Sequence, residues 1–251
     1  MNELPATLQG SFERRYELRP SDFDRYDRIL PTSVLELFQD AAGKHAALLG
    51  LGRGDLLTRE LVWIAVRIRY QVKKDVTPES AVTVRTWPVG PGRVIFQRDY
   101  AVLDETGDEA ILGSSEWVLM HPVLRKIMPV RDPCPDGASA AARRCFPGPF
   151  RHIPVFEPDG SLTLTPGYSQ IDVNGHVNNA KYANFVLDAA SPRPDEPIRG
   201  FMIEYHREVL AGEPLTVSVA RQGGEILAAG TSETGEKRFS CLLLTGPGAE
   251  V

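Results

Sequence analysis

A single apolar stripe at helical spacing followed by long alternating segments occurs twice in this chain, in the same order, and that repetition restricts the folds open to it. In the first half Val34, Leu37, Phe38 and Ala41 form the stripe, and Ser33-Val34-Leu35-Glu36 has the pattern of a capping box. In the second half Tyr182, Phe185, Val186 and Ala189 repeat the spacings, and Asn178 or Asn179 can cap that helix. After the first stripe Ile64, Val66, Ile68, Tyr70 and Val72 alternate with Ala65, Arg67, Arg69 and Gln71; after the second, Phe201, Ile203, Tyr205, Arg207 and Val209 fall at every other position. Further strands are expected at 81–84, 94–103 and 111–120, and again at 215–219, 226–230 and 239–244, with Glu105-Thr106-Gly107-Asp108 as one of the turns. Each half therefore reads as one helix followed by an antiparallel meander.

A lone amphipathic helix followed by several long strands buries its stripe most simply when the sheet curls around it. That is the hotdog arrangement, expected here as an α+β tandem double hotdog. Two unrelated α+β domains are the alternative, against which stands the matching order of several elements. The chain has 251 residues, 42% of them hydrophobic and 24% charged, which supplies a core for one large or two small domains. A stretch rich in proline and glycine, with Pro133, Pro135, Gly137, Pro147, Gly148, Pro149, Pro154 and Pro158, lies between the repeats. It divides the sequence into an N-terminal hotdog over 1–132, a linker over 133–158 and a C-terminal hotdog over 159–251.

Lys and Arg number 28 against 33 Asp and Glu, a formal net charge of -5, which argues against broad nucleic-acid or anionic-membrane binding and leaves room only for local basic patches. Arg143-Arg144, Lys73-Lys74 and Arg125-Lys126 are the basic pairs, by default solvated surface. No apolar run reaches the roughly 18 to 20 residues that span a bilayer, and residues 1–15 lack the apolar core of a secretion signal, so a cytoplasmic location is expected. The three cysteines, Cys134, Cys145 and Cys241, have no CxxC spacing and read as reduced thiols. His45, His121, His152 and His206 show no ligand spacing, so no metal is expected. Gly50-Leu51-Gly52-Arg53-Gly54 lacks the spacing of a dinucleotide fingerprint and reads as a loop.

The least ordinary segment is Asp172-Val173-Asn174-Gly175-His176-Val177-Asn178-Asn179, an acid, an imidazole and three carboxamides just ahead of a helix. It has a plain reading as a polar turn that caps the helix. It also has a chemical one. A helix N-terminus presents free N–H groups that stabilise an oxyanion, and histidine beside a carboxylate is suited to proton transfer near neutral pH. The corresponding stretch of the first half, Asp22-Phe23-Asp24-Arg25-Tyr26-Asp27-Arg28, keeps an acid but aligns with tyrosine where the second half has His176. One repeat thus has the look of a catalytic unit and the other of a structural or substrate-binding one.

The segment from Asp172 to Tyr182 closely resembles the active-site segment of acyl-acyl carrier protein thioesterases and, in looser form, that of single-hotdog acyl-CoA thioesterases. Leu61-Val62-Trp63-Ile64-Ala65-Val66-Arg67, Ser114-Ser115-Glu116-Trp117-Val118-Leu119-Met120 with Arg125-Lys126, and Ile203-Glu204-Tyr205-His206-Arg207-Glu208 favour the carrier-protein family. The resemblance implies that Asp172, Asn174, His176 and Glu208 are catalytic. It also implies hydrolysis of a fatty acyl-carrier thioester to a free fatty acid by activated water, with no cofactor. Family members often carry cysteine directly after that glutamate, where this chain has Val209, so a thiol nucleophile there is ruled out. Either Glu208 or Asp172 would be the general base, with His176 relaying the proton and Asn174 polarising the carbonyl. Strict alternation puts Glu208 on the strand face opposite Tyr205, so its reach into the site requires the strand to bulge or end. The first half is the expected home of the acyl chain, with Trp63, Trp117 and Met120 as candidate lining. The implied partner is an acyl carrier protein, with no nucleic acid and no membrane, and monomer and homodimer are both open. An acyl-CoA thioesterase and a non-catalytic acyl-chain or acyl-carrier binding module are the rival readings.

Overall fold

A computed structural model describes residues 10–89, 93–129, 143–246 and 251 of the chain. Pro31 begins helix α1 (Pro31–Leu48), because its fixed φ suits the first helical position and Leu30 before it is extended. Ser33 therefore lies inside the helix and is buried, and the expected Ser33–Glu36 capping box is not formed. Val34, Phe38 and Ala41 of the stripe are buried, together with Leu35, Ala42 and His45, and Leu37 is half-buried. A short helix α2 (Arg53–Leu57) replaces the end of the expected Gly50–Gly54 loop, with Gly52 at its N-cap. In the second half the side chain of Asn178 accepts the N–H of Ala180 at 2.9 Å and starts a 3-10 turn, Asn179–Lys181, that runs into helix α3 (Tyr182–Ala190). Tyr182, Phe185 and Val186 of α3 are buried.

Among the described residues eleven strands form one antiparallel sheet. They are β1 (Phe12–Glu17), β2 (Val62–Val72), β3 (Ala81–Val89), β4 (Phe96–Leu103), β5 (Glu109–His121), β6 (Lys126–Ile127), β7 (Gly160–Leu164), β8 (Gly200–Tyr205), β9 (Leu215–Gln222), β10 (Glu225–Ser232) and β11 (Lys237–Leu244). The order is β1-β3-β4-β5-β2-β8-β11-β10-β9-β7, with the short β6 on β5. Read outward from the middle, β2-β5-β4-β3-β1 and β8-β11-β10-β9-β7 have the same connectivity. The repeat in the sequence is thus a repeat in topology, and the two hotdog units share one continuous sheet through β2 and β8. Each unit departs from a simple meander, since β2 returns to pair with β5 and not with β3. The edge strands β1 and β7 were not expected; both are short and largely exposed, so no apolar alternation marks them.

Two irregularities set which side chains face the helices. A bulge between Ala65 and Arg67 in β2 leaves Val66 unpaired and reverses the alternation, so Ile64 does not share a face with Ile68, Tyr70 and Val72. The strand expected to continue to Val209 ends at Tyr205, because the N–H groups of His206 and Arg207 both point at the one carbonyl of Arg238, at 2.9 and 3.1 Å. Glu208 consequently lies beyond β8 and not on it.

Both helices pack on the same face of the sheet and meet through Thr32 and Asn184, which are hydrogen-bonded, and through Lys181 and Glu36, 2.6 Å apart. Phe38 of α1 stacks on Tyr100 at 4.2 Å and meets Tyr70 edge-on at 6.4 Å; Tyr182 of α3 meets Phe239 edge-on at 5.4 Å. The opposite face is covered by residues 146–156 and Val251. Phe150, Ile153 and Val251 are buried there against Met202, Leu227, Leu242 and Leu244. The buried guanidinium of Arg69 lies near the Phe146 and Phe150 rings and donates to the carbonyls of Gly148, Pro149 and Val251. The expected linker residues Pro133, Pro135 and Gly137, and Cys134, fall outside the described residues. Among the described residues no helix is long and apolar enough to cross a membrane.

Gly113 of β5 lies directly beneath Phe38, and a Cβ there would come within 2.2 Å of the ring. Since the ring is also held by Tyr100 and Tyr70, it has little room to retreat. Gly113→Ala should lower unfolding free energy by about 1–3 kcal/mol, measured by urea titration.

Candidate active site

The segment ahead of α3 closes on itself. The N–H of Asp172 donates to the carbonyl of His176 at 2.9 Å and that of Gly175 to the carbonyl of Asp172 at 3.0 Å, with Gly175 left-handed at φ 85°. The Asp172 carboxylate accepts twice from Asn174, from its backbone N–H at 2.8 Å and from Nδ2 at 3.3 Å. His176 Nδ1 lies 3.2 Å from the carbonyl oxygen of Val177 and 3.9 Å from Asp172 Oδ1. Both neighbours are acceptors, so Nδ1 carries the proton and Nε2 is left as the basic nitrogen. Asp172, Asn174 and His176 are therefore brought together in one turn, Asp172 and His176 half-buried and Asn174 exposed.

The same loop exists in the first half. There the N–H of Asp24 donates to the carbonyl of Arg28 at 2.8 Å, that of Asp27 to the carbonyl of Asp24 at 3.1 Å, and Asp27 is left-handed at φ 57°. The hydrogen-bond pattern matches Asp24 with Asp172, Tyr26 with Asn174, Asp27 with Gly175 and Arg28 with His176. The residue opposite the imidazole is thus Arg28, and the expected pairing with Tyr26 is corrected. Arg28 is paired to Asp24 at 2.7 Å and donates to the carbonyls of Arg193 and Glu196, so this copy of the loop ties the halves together.

Glu208 reaches the same neighbourhood through backbone contacts made by the residue after it. Val209 donates its N–H to the Tyr182 hydroxyl at 3.0 Å, and its carbonyl accepts from the N–H of Val177 at 2.9 Å. Residues 208–210 run antiparallel to 176–178, with His176 opposite Leu210. Burial, the largest influence, pushes the Tyr182 hydroxyl up to about 12, so it remains a neutral acceptor. Val209 is fully buried. Two arginines of the first half touch this assembly: Arg125 of the β5–β6 turn pairs with Glu208 Oε1 at 2.9 Å, and Arg53 of α2 lies 3.4 Å from Asn174 Oδ1. The sequence marked Tyr182 only as a stripe residue, Arg53 only as part of a loop and Arg125 only as one of a basic pair, and it gave no sign that they meet this assembly. Tyr182 has the spacing of a core residue, and the arginines are more than 80 residues from their partners, so local pattern carries no signal of either.

Trp63 donates Nε1–H to the Leu51 carbonyl at 3.1 Å and packs with Leu49, Leu51, Leu56, Leu119 and Phe96 beneath α2. Trp117 donates to Ser115 Oγ at 2.7 Å and lies opposite Ala65 in the sheet. Met120, next to buried Leu119 along β5, takes the other face. Trp63 is linked to the turn only indirectly, since α2 above it also supplies Arg53. An open groove of about 620 Å³ runs beside the turn, lined by Gln39, Lys44 and Glu36 of α1 and by Gln170, Asp172 and Asn178. Cys145 is pushed up to about 12, mainly by burial and then by Asp99, and fully buried Cys241 is also pushed up, so both are protonated thiols at neutral pH.

Two curled units sharing one sheet, with an imidazole-bearing turn ahead of only the second helix, define a double-hotdog protein. Residues 9–136 match the acyl-ACP thioesterase N-terminal domain and residues 157–244 the acyl-ACP thioesterase C-terminal domain, where ACP is acyl carrier protein. The chain belongs to this family. It is 28% identical over 263 residues to a chloroplastic palmitoyl-acyl carrier protein thioesterase of Arabidopsis thaliana, covering 96% of this chain and 62% of that protein. It is 26% identical over 220 residues to a chloroplastic acyl-[acyl-carrier-protein] hydrolase of Cuphea viscosissima, covering 78% and 52%. The chain thus spans between half and two thirds of the length of these relatives. Its fold is shared with an acyl-ACP thioesterase from Bacteroides thetaiotaomicron, with a TM-score of 0.85, 21% identity and coverage of 96% and 99%. It is also shared with the 12:0-ACP thioesterase from Umbellularia californica, with a TM-score of 0.79, 23% identity and coverage of 97% and 98%.

The left-handed backbone at Gly175 is what lets the loop close around Asp172. Gly175→Ala adds a Cβ in a conformation that costs L-residues about 1–2 kcal/mol. Thermal unfolding should register that loss of stability, and exchange of the Asp172 amide hydrogen should accelerate.

Proposed function

We propose that this protein hydrolyses fatty acyl-acyl carrier protein thioesters, releasing a free fatty acid and the carrier's thiol. The observation that carries this reading is the match to both family domains in order, with the Asp172-Asn174-His176 turn and Glu208 lying within the second. The fold alone is compatible with other thioester chemistry.

In the reaction, a carboxylate takes a proton from water as the water oxygen bonds to the thioester carbonyl carbon. The carbonyl becomes an oxyanion, which then expels the thiolate as the C–S bond breaks, and the thiolate takes up a proton to give the thiol. Asp172 has both oxygens engaged by Asn174, so its part is to orient the turn, and Glu208 is the better candidate for the base. Asn174 uses one Nδ2 hydrogen on Asp172 and keeps the other for the oxyanion. His176, basic at Nε2, moves the proton between water and the leaving thiol. These groups suffice for water attack without a cofactor. The first half takes the acyl chain near Trp63 and Trp117, while 159–251 carries the chemistry and 133–158 joins the two. A cytoplasmic location with a soluble carrier as partner belongs to the same reading.

Thiol release from the same fatty acyl chain on carrier protein, pantetheine and CoA tests this. Turnover should be fastest per micromolar of carrier substrate; preference for acyl-CoA would make it a CoA hydrolase, and no turnover of any would reduce the turn to a helix cap. His176→Ala should lower kcat by roughly 10²- to 10⁴-fold with the fold intact by circular dichroism. Cys134→Ser, Cys145→Ser and Cys241→Ser should each remain active, as water and not a thiol attacks.

Carriers of this kind are acidic, so a local basic surface must guide them, and its reach is about 10 Å at 0.1 M salt. Raising ionic strength should lower kcat/KM for the carrier substrate more steeply than for acyl-pantetheine, and equal slopes would remove carrier steering. Arg143 pairs with Glu109 at 2.5 Å, and Lys74 pairs with Asp104, which leaves less of these charges for a carrier than their sequence pairs suggest.

A further inference from the structure

We propose that Arg125, which belongs to the first half, is a positioning residue for Glu208, fixing the orientation of that carboxylate of the second half. The proposal rests on the hydrolase reading above and adds to it a residue from the half that carries no imidazole turn.

The contact is direct: an Arg125 guanidinium nitrogen lies 2.9 Å from Glu208 Oε1, across 83 positions of sequence. Glu208 needs such a partner because it has left the sheet. β8 ends at Tyr205, and the backbone of the following segment is anchored on both sides of Glu208, at Arg207 to Arg238 and at Val209 to Tyr182 and Val177, but those bonds do not fix the rotations of the glutamate side chain. An arginine on Oε1 removes those rotations and leaves Oε2 as the oxygen that meets water.

The turn that presents Arg125 is built to hold it. Its N–H donates to the carbonyl of His121 at 2.9 Å, closing the turn between β5 and β6. The His121 ring accepts from the N–H groups of Val123 and Leu124 at 3.3 and 3.2 Å, which fastens the tip. Arg125 itself is left-handed at φ 51°, a conformation that glycine adopts freely and arginine does not. Backbone strain held at a non-glycine residue is a feature of sites where the side chain is needed. A turn serving only to join two strands would be better made with glycine here.

That distinction supplies the experiment. Arg125→Gly relieves the backbone while deleting the guanidinium, and Arg125→Lys keeps a cation in the strained position. Both are compared with wild type on acyl-carrier protein and on acyl-pantetheine, using the fatty acyl chain that wild type turns over fastest. Positioning of Glu208 acts on the chemical step and is blind to the carrier. Arg125→Gly should therefore lower kcat about 10- to 100-fold on both substrates, with KM within about threefold and a melting temperature equal to or above that of wild type. Arg125→Lys should recover a substantial part of the lost kcat.

Retention of kcat within twofold in Arg125→Gly would overturn the proposal. So would a defect confined to KM for the carrier substrate, which would make Arg125 a docking residue, or a lysine variant no better than glycine. A wild-type protein that turns over neither substrate would instead overturn the hydrolase reading, and this inference with it.

Discussion

The pairing of β2 with β8 is the contact on which the rest of the molecule depends. It sets Ile68 beside Ile203, Tyr70 beside Phe201 and Arg69 beside Met202, and so converts a six-stranded and a five-stranded curled sheet into one. Tyr70 and Phe201 stack at 5.6 Å on the helix side of this seam, and on the other side Arg69 gathers the carbonyls of residues 148, 149 and 251. Each half alone would expose the edge of its seam strand, an open row of N–H and C=O groups. Joined edge to edge, the halves satisfy these groups and merge their apolar faces into one core that includes both helices.

Because the seam lies in the middle of the sheet, α1 and α3 are neighbours and the candidate site has contacts from both halves. The imidazole turn belongs entirely to the second repeat, but from the first Arg53 meets its Asn174 and Arg125 meets Glu208. Arg28, in the first copy of the turn, ties back to residues 193 and 196 of the second half. The two copies have kept one backbone and diverged in side chain. At matching positions one has arginine in an ion pair and the other histidine with its Nε2 available, so the first copy serves assembly and the second is suited to chemistry. Glu208 lies off the sheet because β8 stops early, at Tyr205.

Much of this was legible in the residues. The helices, most long strands and their twofold order follow from apolar periodicity, which survives because burial of one face is a constraint every few residues. The turn from Asp172 to Asn179 stood out for its chemistry, and the need for a break in the strand before Glu208 followed from counting faces. What escaped were features with weak local signals. Residues 12–17 and 160–164 form edge strands that are mostly exposed and so show no alternation. The bulge at Ala65 is invisible in a sequence that alternates straight through it. Ser33 had the chemistry of a cap, but Pro31 starts the helix earlier.

The sequence by itself therefore determined the repeated helix-and-strand plan, the burial of Val34, Phe38, Tyr182 and Phe185, and the concentration of acid, amide and imidazole in one turn, since each depends on residues a few positions apart. Only the tertiary structure decided that β2 and β8 join the halves, that Arg28 and not Tyr26 corresponds to His176, and that Arg125 meets Glu208. Those are outcomes of strand register and loop closure, in which partners more than 80 residues apart, or loops of the same length with differently placed hydrogen bonds, are selected by packing and not by local pattern.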